Sequence, residues 1–263
     1  MNQLILLTLL TCALALPCSA LEAELQFYVK AGTETIKDLK LKKLNSEGIE
    51  ALTKKRYTDA ARIYSDFIQR APQSPIGYAN RGSAYNSLQR FEEASADYAK
   101  AVRLDPSLKK MIDPSKPLVD KAMSVIDEGD LDKAETLLTS AAKMNPKSAA
   151  AWNELAFIKS QKQDYPKCIE LASKAIAIDG TNADALANRG GCRSGSGRYK
   201  EALADLDKAI ALGRGQAESY LNRAGVNAAL KKCTAAAADA AKAVSMAPSL
   251  KDAATRMLTG CGR

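Results

Sequence analysis

The sequence predicts an all-α chain, a stack of paired helices closed by a terminal helix. Three observations carry this. Apolar residues make up 46% of the 263 residues but aromatics only 5%, and alanine supplies much of the difference. That composition suits helices packed closely through small side chains and suits a strand-rich core poorly. A short phrase also recurs along the chain: Tyr78-Ala-Asn-Arg-Gly-Ser-Ala-Tyr85, Leu186-Ala-Asn-Arg-Gly-Gly-Cys-Arg193 and Tyr220-Leu-Asn-Arg-Ala-Gly-Val-Asn227, the last two beginning 34 residues apart. Such self-similarity marks repeat architectures. Finally, each phrase is followed by an alanine-rich segment of helical phasing: Phe91, Ala94, Tyr98 and Ala101 before Pro106; Tyr199, Ala202, Leu206 and Ala209; Cys233, Ala236, Ala240 and Ala243 before Pro248.

Residues 1–20 are set apart from the fold. Leu4 to Leu16 is apolar except for Thr8, Thr11 and Cys12, a run shorter than the ~20 residues that span a bilayer. Pro17 ends it, and Cys18 and Ala20 supply small residues at the −3 and −1 positions. The pattern is that of a secretory signal cleaved after Ala20, although no lysine or arginine precedes the apolar run. A lipid anchor on Cys18 is the alternative, but Pro17 stands where a small residue would precede the modified cysteine. The expected location is therefore secreted or periplasmic, with no transmembrane segment after cleavage. Residues 21–40 are expected to add an N-terminal leader helix.

Six copies of one pattern follow, over 41–74, 75–108, 115–148, 149–182, 183–216 and 217–250. In this pattern the chain resembles the tetratricopeptide repeat (TPR) family, whose repeat has a large apolar residue at position 4, aromatic or large apolar residues at 11, 17 and 24, and small residues at 8, 20 and 27. Position 20 is Ala60, Ala94, Ala134, Cys168, Ala202 and Ala236, and position 32 is Pro72, Pro106, Pro146, Gly180, Arg214 and Pro248. The resemblance implies a right-handed α-solenoid of six helix-turn-helix repeats. Helices of about a dozen residues are marginal alone. Small residues at 8 and 20 let paired axes approach, proline at 32 stops the second helix, and stacking buries a core in one dimension. A spacer at 109–114 divides the copies into repeats 1–2 (41–108) and repeats 3–6 (115–250), unless one helix simply runs a turn longer there. Residues 251–263 form a capping helix, with Ala253, Ala254, Met257 and Leu258 on one side.

Position 7 is arginine in three copies (Arg81, Arg189, Arg223), and position 23 is aspartate in the same three (Asp97, Asp205, Asp239). Neither appears in the other copies. The joint occurrence predicts structural ion pairs between the two helices of one repeat, each contributing ~0.2–1 kcal/mol if partly exposed. Common descent of three copies without contact is the alternative.

Four cysteines lie beyond the leader: Cys168, Cys192, Cys233 and Cys261. No clustered zinc spacing is present. In an exported chain an even count suggests disulfides. The phasing that the resemblance supplies brings Cys168 level with Cys192 and Cys233 level with Cys261. Cysteine as a small apolar filler is the other reading.

Functionally, the absence of histidine removes the commonest general base and metal ligand, and no phosphate-binding glycine loop or carboxylate constellation replaces it. The expectation is a non-enzyme without cofactor or metal. The resemblance implies a concave groove lined by the first helices of the repeats. Here that groove includes Ile49, Ser83, Asn86, Lys116, Met123, Ile126, Asn153, Phe157 and Gln161, with Asp184 and Glu218 further along, and it would receive a peptide or helix from a protein partner. The tail-carboxylate grip of some relatives is not expected: Asn80 and Lys116 match it, but Asn45, Ile49 and Asp120 stand where its other residues would be. The formal charge of +8, with Lys37, Lys40, Lys42, Lys43, Lys54, Lys55 and Arg56 near the front, makes an anionic lipid or cell-wall polymer the alternative partner. Export and few interleaved aromatics speak against nucleic acid.

Overall fold

In the computed structural model, residues 38–214 and 217–261 are described; the signal expected over residues 1–20 and the leader up to residue 37 lie outside them. The described residues form thirteen α-helices and no strand. They fall into two compact units, one ending at Pro114 and the other starting at Ser115.

The first unit contains α1 (Leu39–Thr53), α2 (Tyr57–Arg70), α3 (Pro75–Ser87) and α4 (Phe91–Leu104). Asp38 caps α1, its Oδ1 accepting from the backbone N–H of Lys40 at 2.7 Å, which satisfies an otherwise orphan donor. Helix α4 ends at Leu104 and does not run on through the spacer. A 3-10 turn, Pro106–Lys110, follows it. Ile112 then buries itself against Ala79, Ala101 and Val102, and the Ser95 hydroxyl donates to the Pro114 carbonyl at 2.7 Å. The spacer is thus packed back onto the first unit.

The second unit contains α5 (Lys116–Asp127), α6 (Leu131–Met144), α7 (Ala149–Gln161), α8 (Tyr165–Ile178), α9 (Ala183–Gly195), α10 (Tyr199–Ala209), α11 (Ala217–Ala229), α12 (Cys233–Met246) and the terminal α13 (Lys251–Met257). Odd-numbered helices up to α11 are first helices of a repeat and even-numbered ones are second helices. The largest core of this unit gathers Leu118, Val125, Leu138, Leu155, Ile158 and Leu171 around the buried Cys168 and Cys192. At the far end Ala254 of α13 covers Leu221, Ala224, Ala240 and Ala243.

Within each repeat one volume rule governs the crossing of the two helices. Position 20 is fully buried in all six copies. Position 8 and position 24 face each other and share the space between them. Where position 24 is large, position 8 is mostly glycine: a Cβ on Gly48 would lie 2.6 Å from the Tyr64 ring, one on Gly82 2.7 Å from Tyr98, and one on Gly190 2.7 Å from Leu206 Cγ. Where position 24 is small (Ala172, Ala240), position 8 is alanine (Ala156, Ala224).

The turn between the two helices places position 15 in the left-handed region in every repeat: Lys55, Gln89, Gly129, Gln163, Gly197 and Lys231 have φ of 56, 58, 86, 58, 74 and 61°. Only two of the six are glycine, so the other four hold a conformation that side chains disfavour.

Proline at position 32 is not uniformly needed to stop the second helix. In repeat 4 the chain leaves α8 through an extended Asp179, whose Oδ1 accepts from the Thr181 backbone N–H at 2.9 Å. In repeat 5, lacking proline, the chain runs past Ala209 into a wider π turn, Ile210–Arg214, ended by Gly213 at φ 72°.

Candidate interaction surface

The arginine–aspartate pattern places the ion pairs where the sequence expects them, and each carries a further arm. Arg81 Nε donates to Asp97 Oδ2 at 2.7 Å and its Nη2 to Oδ1 at 2.9 Å. Arg189 grips Asp205 through the same two nitrogens at 2.8 and 2.7 Å, and Arg223 grips Asp239 at 2.9 and 2.7 Å. In each case Nη1 turns to the preceding repeat: to Ser65 Oγ at 3.2 Å, Ser173 Oγ at 3.1 Å and Asp207 Oδ1 at 2.7 Å. Position 25 supplies that third partner in all three. The signal was present as a polar residue 16 before each arginine, but only helix stacking brings it within reach. The carboxylates are nearly covered, with Asp205 exposing 7% of its side chain. Breaking such a pair strands a buried charge, which costs more than the ~0.2–1 kcal/mol of a surface pair. The hydrogen bond that Arg81 donates to Asp97, with the charge of that carboxylate, raises the Arg81 pKa further despite partial burial. These residues tie the two helices of a repeat to each other and to the repeat before.

The cysteines pair as Cys168–Cys192, with Cα atoms 6.3 Å apart, and Cys233–Cys261, with Cα atoms 5.3 Å apart. The first bridge ties α8 to α9, and the second ties α12 to the chain end beyond α13.

The expected groove residues divide by unit. In the first unit Ile49 is half-buried and packs against the core containing Leu52, Tyr64 and Phe67. Ser83 is nearly covered, at 7% exposure, and Asn86 is half-buried. Neighbouring Asn45 is buried, its Oδ1 accepting from the Tyr64 hydroxyl at 3.3 Å. Asn80 is fully buried with neither side-chain Nδ2 nor Oδ1 hydrogen-bonded, and Asn86 Oδ1 is likewise unpartnered.

In the second unit Lys116 is exposed and donates to Asp120 at 2.7 Å. Met123 is 49% exposed, Ile126 and Phe157 are half-buried against the core, and Gln161 is exposed at the end of α7. Asn153 is nearly covered, which corrects the expectation of an open position both there and at Ser83. Its Oδ1 accepts from Asn188 Nδ2 at 2.9 Å, and its Nδ2 donates to Glu154 Oε1 at 3.0 Å. Asn153 is turned into the seam between α7 and α9. Sequence reasoning missed Glu154. Burial raises its carboxyl pKa, the Asn153 hydrogen bond opposes that rise, and the charge of Asp184 adds to it.

Half of the described basic front lies beside carboxylates. Lys54 pairs with Glu50 at 2.7 Å, Arg56 lies near Glu50 and Asp59 at 3.8 and 3.6 Å, and Lys43 lies 3.8 Å from Glu47. Lys37 lies outside those residues. No group of three or more His, Cys, Asp or Glu able to hold a metal occurs among the described residues, and none of the described helices is long and apolar enough to cross a membrane.

The tetratricopeptide repeat family model matches at residues 75–108, 125–189 and 193–250. The chain is 37% identical over 81 residues to the heat-shock protein cognate co-chaperone sgt12 of Aspergillus fumigatus, covering 31% of this chain and 23% of that protein. It is 27% identical over 120 residues to the mitochondrial import receptor subunit TOM70 of Mus musculus, covering 45% and 19%. It therefore spans about a quarter or less of the length of these curated relatives. Among solved structures, YrrB, a TPR protein with an unusual peptide-binding site, superposes with a TM-score of 0.53 at 18% identity, over 75% of this chain and 98% of YrrB. The Cut9–Hcn1 assembly of APC/C superposes with 0.52 at 17% identity, over 92% and 47%. Six helix pairs with a shared volume rule, a shared left-handed turn and three family matches along the chain agree: this chain belongs to the tetratricopeptide repeat family.

Proposed function

We propose that the protein is a non-catalytic interaction scaffold, which holds a segment of a partner protein against its first-helix faces. The observation that carries this is the Asn80 amide. A buried amide without partners destabilises a fold by about 1–3 kcal/mol, and native proteins keep few such groups. In the second unit Asn188, at the matching position, is satisfied by Asn153 of the preceding first helix. In the first unit Asn45 holds the position of Asn153 but faces the Tyr64 hydroxyl, leaving Asn80 with one donor group and one acceptor unused. That is the complement of a peptide bond, which a partner segment reaches only where the cover over the fully buried Asn80 opens on binding.

The test uses peptides selected from a displayed library on the full chain. Asn80→Leu, near in shape and free of polar atoms, should unfold at equal or higher urea than the wild type and lose the selected peptides. Unchanged affinity in a folded Asn80→Leu protein removes the proposal.

The compartment is inferred to be exported. The apolar run before Ala20 and two cross-links between cysteines brought close by the fold both support an oxidising location. N-terminal sequencing of the protein recovered from its native source tests this; a chain still starting at Met1 in a reducing compartment contradicts it.

A further inference from the structure

From the inner face of the second unit we infer a docking surface for a cationic amphipathic segment, with Glu154 receiving a lysine or arginine side chain beside an apolar strip formed by Met123, Ile126 and Phe157. This rests on the scaffold reading above and narrows the partner's chemistry.

The face is defined by contacts between successive first helices. Asn188 of α9 reaches Asn153 of α7, Asp184 of α9 lies near enough to Glu154 of α7 to shift its titration, and Asn222 of α11 lies 3.4 Å from where a Cβ on Gly191 of α9 would be. Positions 2, 6 and 9 of the first helices in repeats 4 to 6 therefore meet along one seam.

Its charge opposes that of the whole chain. The formal net charge is +8, yet positions 2 and 6 of repeats 3–6 carry Asp120, Glu154, Asp184 and Glu218 against Lys116 alone, and Lys116 is taken by Asp120. Glu154 is the residue at which this matters most. Its carboxylate accepts one hydrogen bond, from Asn153, and forms no ion pair among the described residues. A carboxylate taken out of water without a cation is unfavourable for the fold. An arriving ammonium or guanidinium would supply the missing partner in a partly water-excluded setting, where charge-assisted hydrogen bonds are strong.

The apolar half of the recognition is on the same helices. Met123 stands half in solvent on α5, with Ile126 one turn further along. Phe157 occupies on α7 the position that Met123 occupies on α5, and Ile126 and Phe157 rest on one core. Methionine adapts to varied apolar guests, and an amphipathic segment laid across the two helices would cover this strip. Charge complementarity with Glu154 and its acidic neighbours selects a basic partner over an acidic one.

The experiment titrates the full oxidised chain with two probes: a short leucine–lysine amphipathic peptide and its leucine–glutamate counterpart. The methyl resonance of Met123 reports the place of binding. The lysine peptide should bind and move that resonance. Glu154→Gln should weaken it about tenfold, as expected for the loss of one charge-assisted contact, while raising the urea midpoint of the protein, which separates lost binding from lost folding. Met123→Ser should also weaken binding. Glu170→Gln, on a second helix where the carboxylate pairs with Lys167 and Lys174, should leave it unchanged. If the glutamate peptide binds as tightly and moves Met123, the cationic specificity is overturned while the scaffold reading survives. If Glu154→Gln binds the lysine peptide as the wild type does, Glu154 is not the receptor. If neither peptide moves Met123, the surface itself fails.

Discussion

Replacing Gly190 by alanine separates two opposing effects that the structure lets us weigh. Alanine favours a helix interior over glycine by roughly 1 kcal/mol. Against this, the new Cβ would lie 2.7 Å from Leu206 Cγ and 3.3 Å from the Ala202 carbonyl oxygen. Cγ is the branch point of a fully buried side chain, so relief requires α9 and α10 to move apart. Overpacking of that kind destabilises by about 1–3 kcal/mol. The clash should win, and Gly190→Ala should unfold at lower urea, with a net loss of about 1–2 kcal/mol. Leu206→Ala alone should lose about 2–5 kcal/mol by leaving a cavity. The informative measurement is the double variant, which recreates the alanine–alanine pairing that repeats 4 and 6 already use (Ala156 with Ala172, Ala224 with Ala240). In the Leu206→Ala background the same glycine-to-alanine change should stabilise, by up to roughly 1 kcal/mol. Urea unfolding followed by far-ultraviolet circular dichroism gives all four corners of the cycle, with a coupling of about 2–3 kcal/mol expected for residues in contact. A Gly190→Ala protein more stable than the wild type in both backgrounds would refute the close approach of the two helices.

Arg81→Met should destabilise by about 3 kcal/mol, because Asp97 is left buried without its cation. Arg189→Met should lose less, since Arg193 also reaches Asp205 at 2.6 Å; equal losses would contradict that back-up role. Gln163→Gly should stabilise by about 1 kcal/mol by relieving a left-handed φ of 58°, and a loss in thermal midpoint would count against that backbone geometry. For Glu154 the dependence on pH has a definite sign. Its folded carboxyl titrates above the usual 4.5, so ionisation works against folding: the penalty is absent well below 4.5, sets in as pH rises through the folded value, and is complete at neutrality. Glu154→Gln should therefore exceed the wild type in stability at neutral pH and match it below about pH 4; a gap that persists in acid means that the effect is not one of charge. Replacing Cys233 and Cys261 by serine should lower stability by about 3 kcal/mol and loosen the terminal turn first, as hydrogen exchange of α13 would report.

Local pattern was enough to define the helix pairs. Small residues at positions 8 and 20, apolar residues at helical spacing and the recurrent arginine–aspartate couple all express contacts within one repeat, between helices joined by a short turn, so their spacing is written into the sequence. The cysteine pairs were legible for a like reason: each joins segments close in the chain, α8 to α9 and α12 to the turn after α13. What the sequence could not reveal are properties of the seam between repeats. The third arm of each arginine, to Ser65, Ser173 or Asp207, depends on where the preceding repeat sits. Ser83 and Asn153 occupy groove positions by phasing, yet both are nearly covered, Asn153 beside Asn188 of the next first helix. The isolation of Asn80 depends on the Tyr64 hydroxyl drawing Asn45 away, and the raised titration of Glu154 on the depth at which α7 and α9 meet. Position 15 shows the division most plainly. Turn geometry demands a left-handed residue in all six repeats, but glycine marks it in only two, because the packing of the flanking helices supplies enough energy to hold lysine or glutamine in that conformation. Sequence alone therefore determined which segments become helices and which helix each pairs with, while the tertiary structure decided which polar groups end without a partner, since that depends on distances across a seam that no single repeat encodes.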